Sequence, residues 1–405
     1  MDPRYSEQAE AFRASVKQFL AENLPDDWQG IGALPRAEAL AFTDRWRATL
    51  HANGLLGVTW PREYGGAGLT KLEQVVLVEE LARAGAPSMG ANDTFSMKMV
   101  GGLLLQWGTE EQKRRFLPAI LSGAHRWCQG YSEPDNGSDL AGLRTQAVLD
   151  GGEWVLNGHK IWQTRAQEAN WIFVLARTDP SASKHRGLTL MLVPMDQPGV
   201  EVRPIRMIGG SPDFNAVFLD GARTSAANVV GAVNDGWTVA NSVLALERGD
   251  EAATNPVLFR AEFDRLVAMA RELGRLDDPV IRDRIADAYV RVETMRFLGY
   301  RILTGVLSTG KLGPESSISK LHWSEYHRDV TRLAIDVLGA QAMVLEGRPP
   351  VRGYRADDPG APNSTASWVG VLYNGVADTI YAGTSQVQRN ILAERVLGLP
   401  RDPPA

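Results

Sequence analysis

The chain is predicted to be a multidomain α+β protein, with an N-terminal all-α domain, a middle antiparallel β domain and a C-terminal four-helix bundle. Two changes of hydrophobic period along the chain predict the order of the layers. Four long helical blocks after the second change predict the bundle. At 405 residues the chain exceeds what one small core organises. The domains are placed at residues 1–126, 127–232 and 233–405.

The first region reads as helices. Phe12, Val16, Phe19 and Leu20 share one helical face, as do Leu72, Val75, Val76 and Leu81 further on. Thr109-Glu110-Glu111-Gln112 has the pattern of a capping box, in which a hydroxyl takes an orphan amide and Gln112 reaches back. The helix it opens turns Phe116, Ala119 and Ile120 inward and stops at Gly123.

Between about Trp127 and Val230 the period falls towards two. Residues 145–149 and 154–156, joined across Asp150-Gly151-Gly152, predict a hairpin. Residues 171–175, 188–193, 200–202 and 216–219 supply further strands. Helical periodicity returns over 237–274, 279–309, 315–345 and 366–397, with Gly, Pro and polar residues between the blocks.

Composition narrows the function. Hydrophobic residues are 44% and charged residues 22% of the chain, ordinary for a soluble globular protein. A formal charge of −5 provides no basic field for nucleic acid or anionic lipid. No apolar run approaches the ~20 residues of a membrane span, and Met1 to Glu10 lacks a signal-peptide core. A single cysteine, Cys128, excludes an internal disulfide and fits a reducing cytoplasm. His322 and His327 are poorly spaced for one helical face and have no carboxylate or thiol set nearby in sequence. They are expected to be surface or packing residues, and no metal is assigned.

Tyr381-Ala382-Gly383-Thr384-Ser385-Gln386-Val387-Gln388-Arg389 resembles the C-terminal signature of the acyl-CoA dehydrogenases, with Ala382 in place of the usual glutamate. Three other segments match the family in order and spacing: residues 57–66, 108–113 and 131–140. Asn157-Gly158-His159-Lys160-Ile161-Trp162-Gln163-Thr164 resembles a fourth. Together they cover nearly the whole chain.

The resemblance implies FAD as cofactor and an acyl-CoA thioester as substrate. Gln129, Tyr131 and Ser132 would then face the flavin ring, with Ser138 between flavin and acyl-CoA. Trp162 would lie along the flavin, and the Thr164 hydroxyl would approach N5, the hydride acceptor. Thr384 and Gln386 would bind the ribityl and pyrophosphate side. Tyr381, Ala382, Gly383 and Arg248 would lie on the substrate side. Taken singly, each has a plainer explanation: turn residues in a polar loop, a packing tryptophan among eleven, a helix N-terminal threonine.

Alanine cannot remove the α-proton. In family members of the isovaleryl and long-chain type, the base is instead a glutamate on the first bundle helix, just before a near-invariant arginine. Glu247-Arg248 stands at that place. Glu247 is therefore expected to be the catalytic base and the product a trans-2-enoyl-CoA, with electrons leaving to an electron-transfer flavoprotein. A solvated glutamate on a polar helix face is the alternative.

Two elements that bind a neighbouring subunit's FAD depart from the family. The first reads Arg271-Glu272-Leu273-Gly274-Arg275, without the phenylalanine; the second reads Asp336-Val337-Leu338-Gly339-Ala340, with aspartate for glutamine. An aspartate near a pyrophosphate repels it. A homo-oligomer would thus pair good half-sites with poor ones. An α2β2 heterotetramer with a related subunit would restore them, as in actinobacterial enzymes acting on steroid side-chain thioesters. A non-catalytic partner subunit and a flavin oxidase or monooxygenase of the same fold are the rival readings.

Overall fold

The computed structural model describes residues 5–309, 313, 315–350 and 358–401, without the side chains of 243–253 and 315. The helices are α1 (Glu7–Asn23), α2 (Arg36–Ala52), α3 (Lys71–Arg83), α4 (Gly102–Trp107), α5 (Glu110–Ser122), α6 (Gly236–Glu272), α7 (Pro279–Thr309), α8 (Glu315–Leu338), α9 (Thr365–Asp378) and α10 (Ser385–Ile391). The strands are β1 (Trp127–Gly130), β2 (Gln146–Asp150), β3 (Glu153–Thr164), β4 (Trp171–Arg177), β5 (Leu188–Pro194), β6 (Val200–Ile205), β7 (Phe214–Ser225) and β8 (Val229–Val230). They form two compact units, one of Met1–Trp46, Leu69–Ser88 and Arg248–Ala405, the other of Arg47–Gly68 and Met89–Glu247.

In the first unit α1 packs on α3 through buried charge. Arg13 reaches Glu79 at 3.2 Å and also pairs with Glu80, while Gln8 donates to Glu73 at 3.0 Å. Glu73 also closes a capping box with Thr70. The C-terminal helices share a core of Phe259, Phe263, Leu266, Trp323, Tyr326, Val330, Leu333 and Trp368, all essentially inaccessible to water. Removing one of its large aromatics would cost about 3–5 kcal/mol. The turn after residue 357 clasps the N-terminal segment: the Gly32 amide donates to the Pro359 carbonyl at 2.8 Å. A Cβ on Gly32 would lie 2.4 Å from the Asp358 carbonyl oxygen, so only glycine allows the approach.

The second unit is built on a sheet of order β6-β7-β3-β2-β4-β5-β8, with β1 beside β4. Its pairing is antiparallel as expected, with two local exceptions. β1 runs parallel to β4, and β2 meets β4 in parallel at one residue pair, because a hairpin that returns on itself separates β1 from β4. That hairpin, β2–β3, turns at Gly151 and Gly152, both at positive φ. The Thr109–Gln112 capping box is present, and α5 ends on left-handed Gly123. Gln112 also donates to the carbonyls of Ala227 and Val229, at 2.8 and 2.7 Å, tying α5 to the segment entering β8.

The last predicted block, 366–397, is not one helix. It breaks after Asp378 because Ala382 and Gly383 take φ values of 52° and 88°, outside the helical region. Thr384 restarts the chain as α10 by accepting from the Val387 amide at 3.1 Å. The third block is likewise shorter, since α8 ends at Leu338 and left-handed Gly339 leads into a 3-10 turn.

Candidate active site

Within the second unit, the loop after β1 and the far end of β3 converge. The Ile161 amide donates to the Ser132 carbonyl at 2.9 Å, fixing that loop beside the strand. A buried ion pair reinforces the join. Lys160 Nζ lies 2.9 Å from Glu133 Oε1 and also donates to the carbonyls of Tyr131 (3.1 Å) and Leu175 (2.9 Å). Glu133 in turn accepts from the amides of Arg144 and Thr145. Burial pushes the Lys160 ammonium down to about 8, against the upward pull of Glu133. Burial alone would raise the Glu133 carboxyl, but Lys160 and the hydrogen bonds it accepts hold it below the usual range.

Just beyond Lys160 the register of β3 shifts between Ile161 and Gln163. Trp162 sits at this bulge with φ of 70° and is 57% exposed, an unusual place for a large indole. Its ring meets Phe214 edge-on, with centroids 6.3 Å apart. Thr164 and Ser132 are half-buried, Tyr131 is buried against Phe173, and Ser138 is exposed on its loop. The buried Gln129 Nε2 amide meets no acceptor among the described residues. Gln163 of the same strand is buried and donates to the Ile161 carbonyl, and Arg165, just past its end, pairs with Glu168 at 2.7 Å.

Within the first unit, Tyr381, Ala382, Gly383 and Thr384 form the turn between α9 and α10. The Gln388 side-chain amide donates to the Ala382 carbonyl at 3.2 Å. Among the described residues the amides of Ala382 and Gly383 meet no acceptor. Thr384 and Gln386 line a cavity of about 440 Å³ with Ser385, Arg328 and Arg389. The Ser385 hydroxyl is buried there and has no partner among the described residues.

Glu247 and Arg248 lie on α6, where the two units meet in sequence, but their side chains fall outside the described residues. Leu273 is exposed, and Asp336 pairs with Arg284 at 2.6 Å while its carbonyl accepts from Arg275.

Sequence reasoning passed over three charged residues, Lys160, Glu133 and Asp378, and took His327 for a surface or packing histidine. Lys160 and Glu133 fall inside the quoted motifs, yet nothing in the strand pattern distinguishes a buried lysine from a surface one. His327 is neither a surface residue nor remote from carboxylates: it is fully buried between Asp378 and Glu262. Asp378 stands three residues before Tyr381, the nearest thing to a signal.

Sequence profiles of the acyl-CoA dehydrogenase N-terminal, middle and C-terminal domains match residues 6–124, 128–220 and 234–397. Acyl-CoA dehydrogenase IpdE1 of Mycobacterium tuberculosis (strain ATCC 25618 / H37Rv) is 41% identical over 400 residues, covering 98% of this chain and 99% of that protein. Among solved structures, the Tcur3481-Tcur3483 steroid ACAD is 34% identical with a TM-score of 0.80, covering 99% of this chain and 100% of that one. The ChsE4-ChsE5 complex from Mycobacterium tuberculosis is 29% identical with a TM-score of 0.79, at the same coverage.

The chain belongs to the acyl-CoA dehydrogenase family. It is an oxidoreductase of acyl-CoA thioesters with FAD as its cofactor. The residues present fit that group: among the described residues, a buried Gln129 amide without an acceptor, an exposed indole at Trp162, and a Ser385 hydroxyl without a partner in a cavity lined by Arg328 and the Arg389–Glu325 pair. No helix among the described residues is long and apolar enough to cross a membrane.

Proposed function

We propose that this enzyme oxidises the α,β bond of an acyl-CoA to a trans-2-enoyl-CoA, with Glu247 as the base. The observation that carries the reading is the paired substitution of Glu247 for the glutamate missing at 382. FAD, when bound, supplies a two-electron acceptor for the β-hydrogen. Trp162, Thr164, Tyr131, Ser132, Ser138 and Gln129 hold its ring region, and Thr384 and Gln386 its ribityl and pyrophosphate side. The Ala382 amide polarises the thioester carbonyl, which acidifies the α-carbon; an alanine keeps that amide and loses only a carboxylate. Tyr381 and Gly383 shape the acyl pocket beside it, and Arg248 follows the base. Glu247, desolvated by the acyl chain, takes the proton.

The substrate class that the relatives support is a steroid-derived thioester, and the assembly is an α2β2 heterotetramer with a related subunit. Asp336, already engaged by Arg284, supports that assembly because it leaves no glutamine at the place where the family holds a neighbour's FAD. Reduced enzyme passes its electrons to an electron-transfer flavoprotein. Anaerobic bleaching of the flavin by straight, branched and steroidal acyl-CoAs tests the reading. Bleaching by the wild type and not by Glu247→Gln is expected; equal bleaching by both would overturn it.

A further inference from the structure

Behind the turn that carries Ala382 lies a buried, charge-balanced cluster from three helices. Asp378, the last residue of α9, accepts from His327 Nδ1 of α8 through Oδ2 and from the Tyr381 hydroxyl through Oδ1 at 2.6 Å. Its backbone carbonyl accepts from Lys320 Nζ at 2.7 Å. On the opposite side of the imidazole, His327 Nε2 faces Glu262 Oε1 of α6 at 3.4 Å. Glu262, His327 and Asp378 are sealed from water, and Lys320 nearly so. Among these four side chains, two carboxylates oppose an imidazolium and an ammonium, and such pairing is what makes buried charge tolerable in a core.

The cluster reaches the turn through one side chain. The Tyr381 ring stands over Lys320 Nζ at 5.8 Å from its centroid, with the Trp323 ring at the same distance on the same ammonium. Close approach of α9 to α8 depends on Gly375, where a Cβ would lie 3.1 Å from Thr331 Oγ1 and 3.5 Å from His327 Nδ1. On its other flank the turn is held by Gln388 at the Ala382 carbonyl. Between these two anchors sit the free amides of Ala382 and Gly383, at backbone angles that alanine adopts only under constraint.

We propose that Asp378, braced by His327, Glu262 and Lys320, is a positioning residue that holds Tyr381 and thereby aims the Ala382 amide. In this account the missing glutamate frees the turn to serve only as an oxyanion donor, and the buried cluster keeps that donor in place. The inference rests on the reading of this turn as the thioester-carbonyl site. A hydrogen-bond donor displaced by about 1 Å costs on the order of 10–100-fold in rate.

The test uses Tyr381→Phe, which removes one hydroxyl, and Asp378→Asn, in the assembled FAD-loaded enzyme. Two readouts are taken. Hydrogen–deuterium exchange of the peptide spanning 379–388 is expected to rise about 10-fold in both variants, while peptides of the β unit stay unchanged. The rate of anaerobic bleaching per bound flavin is expected to fall about 10–100-fold, with acyl-CoA affinity altered less than about 3-fold. Wild-type bleaching rates in both variants would make the cluster purely structural and overturn the proposal. If no acyl-CoA bleaches the wild type, the functional reading fails; unchanged exchange over 379–388 would then overturn the positioning role by itself. Should Asp378→Asn not fold, Tyr381→Phe alone decides.

Discussion

Lys160 and Glu133 meet at 2.9 Å, the lysine sealed from water and the glutamate nearly so, one on the strand that ends at Thr164 and the other on the loop after Tyr131. Two segments more than twenty residues apart are thereby locked into one surface. Breaking such a pair from one side leaves a buried charge, at a cost of about 3–5 kcal/mol. Lys160→Met is expected to lower the denaturation midpoint accordingly, and the double variant Lys160→Met/Glu133→Gln to recover most of the loss. Urea titration of the three proteins checks this.

Glu247→Gln is expected to keep the fold and the flavin spectrum while slowing substrate bleaching by at least ~10²-fold, the usual contribution of a general base. Stopped-flow absorbance under anaerobic conditions reads it directly.

His327 sets a pH dependence of stability. Burial by itself lowers an imidazole, but Glu262 and Asp378 raise this one to about 10. The Phe259 ring packs on the imidazole at 5.1 Å between centroids, and Tyr381 and Lys320 engage the same Asp378. A raised folded value means that the stabilisation is complete below the unfolded value of 6.5 and is lost as pH climbs through about 10. Lys160, lowered by burial, works in the opposite sense from about 8 upward. The difference between wild type and His327→Gln isolates the histidine: the stability gap should be widest below pH 6.5 and narrow steadily as pH climbs to about 10.

Gln112→Ala should cost more than Thr109→Ala. The threonine change removes a cap, about 1 kcal/mol. The glutamine change also strands the Ala227 and Val229 carbonyls, adding about 1–3 kcal/mol. Parallel thermal melts of the two variants compare them.

Flavin stoichiometry addresses the assembly. Purified alone, the chain is expected to hold well under one FAD per chain, and co-expression with a related subunit to restore occupancy. Full occupancy in the lone homo-oligomer would exclude the heterotetramer.

Much of this was legible in the residues. Thr109 and Gln112 announced a cap that forms, the Gly151-Gly152 hairpin closes where its alternation placed it, and the order helix, strand, helix follows from period alone. What escaped was whatever depends on distant partners. His327 and Asp378 are 51 residues apart, and no periodicity links an imidazole on one helix to a carboxylate ending another. Lys160 alternates along its strand as any solvated lysine would. The bulge at Trp162 and the break at Ala382 both rest on backbone angles that a tryptophan and an alanine do not advertise. Conversely, the four-block bundle overstated helix length because pattern reasoning carries an apolar stripe straight through a turn.

The clasp between Gly32 and Pro359 bears on biosynthesis. One unit draws on residues before 89 and after 247, whereas the sheet unit is finished by residue 247. On the ribosome the sheet can therefore mature early, while the opening helices wait, incompletely covered, for a segment emerging about three hundred residues later. That interval is when a chaperone has most to protect.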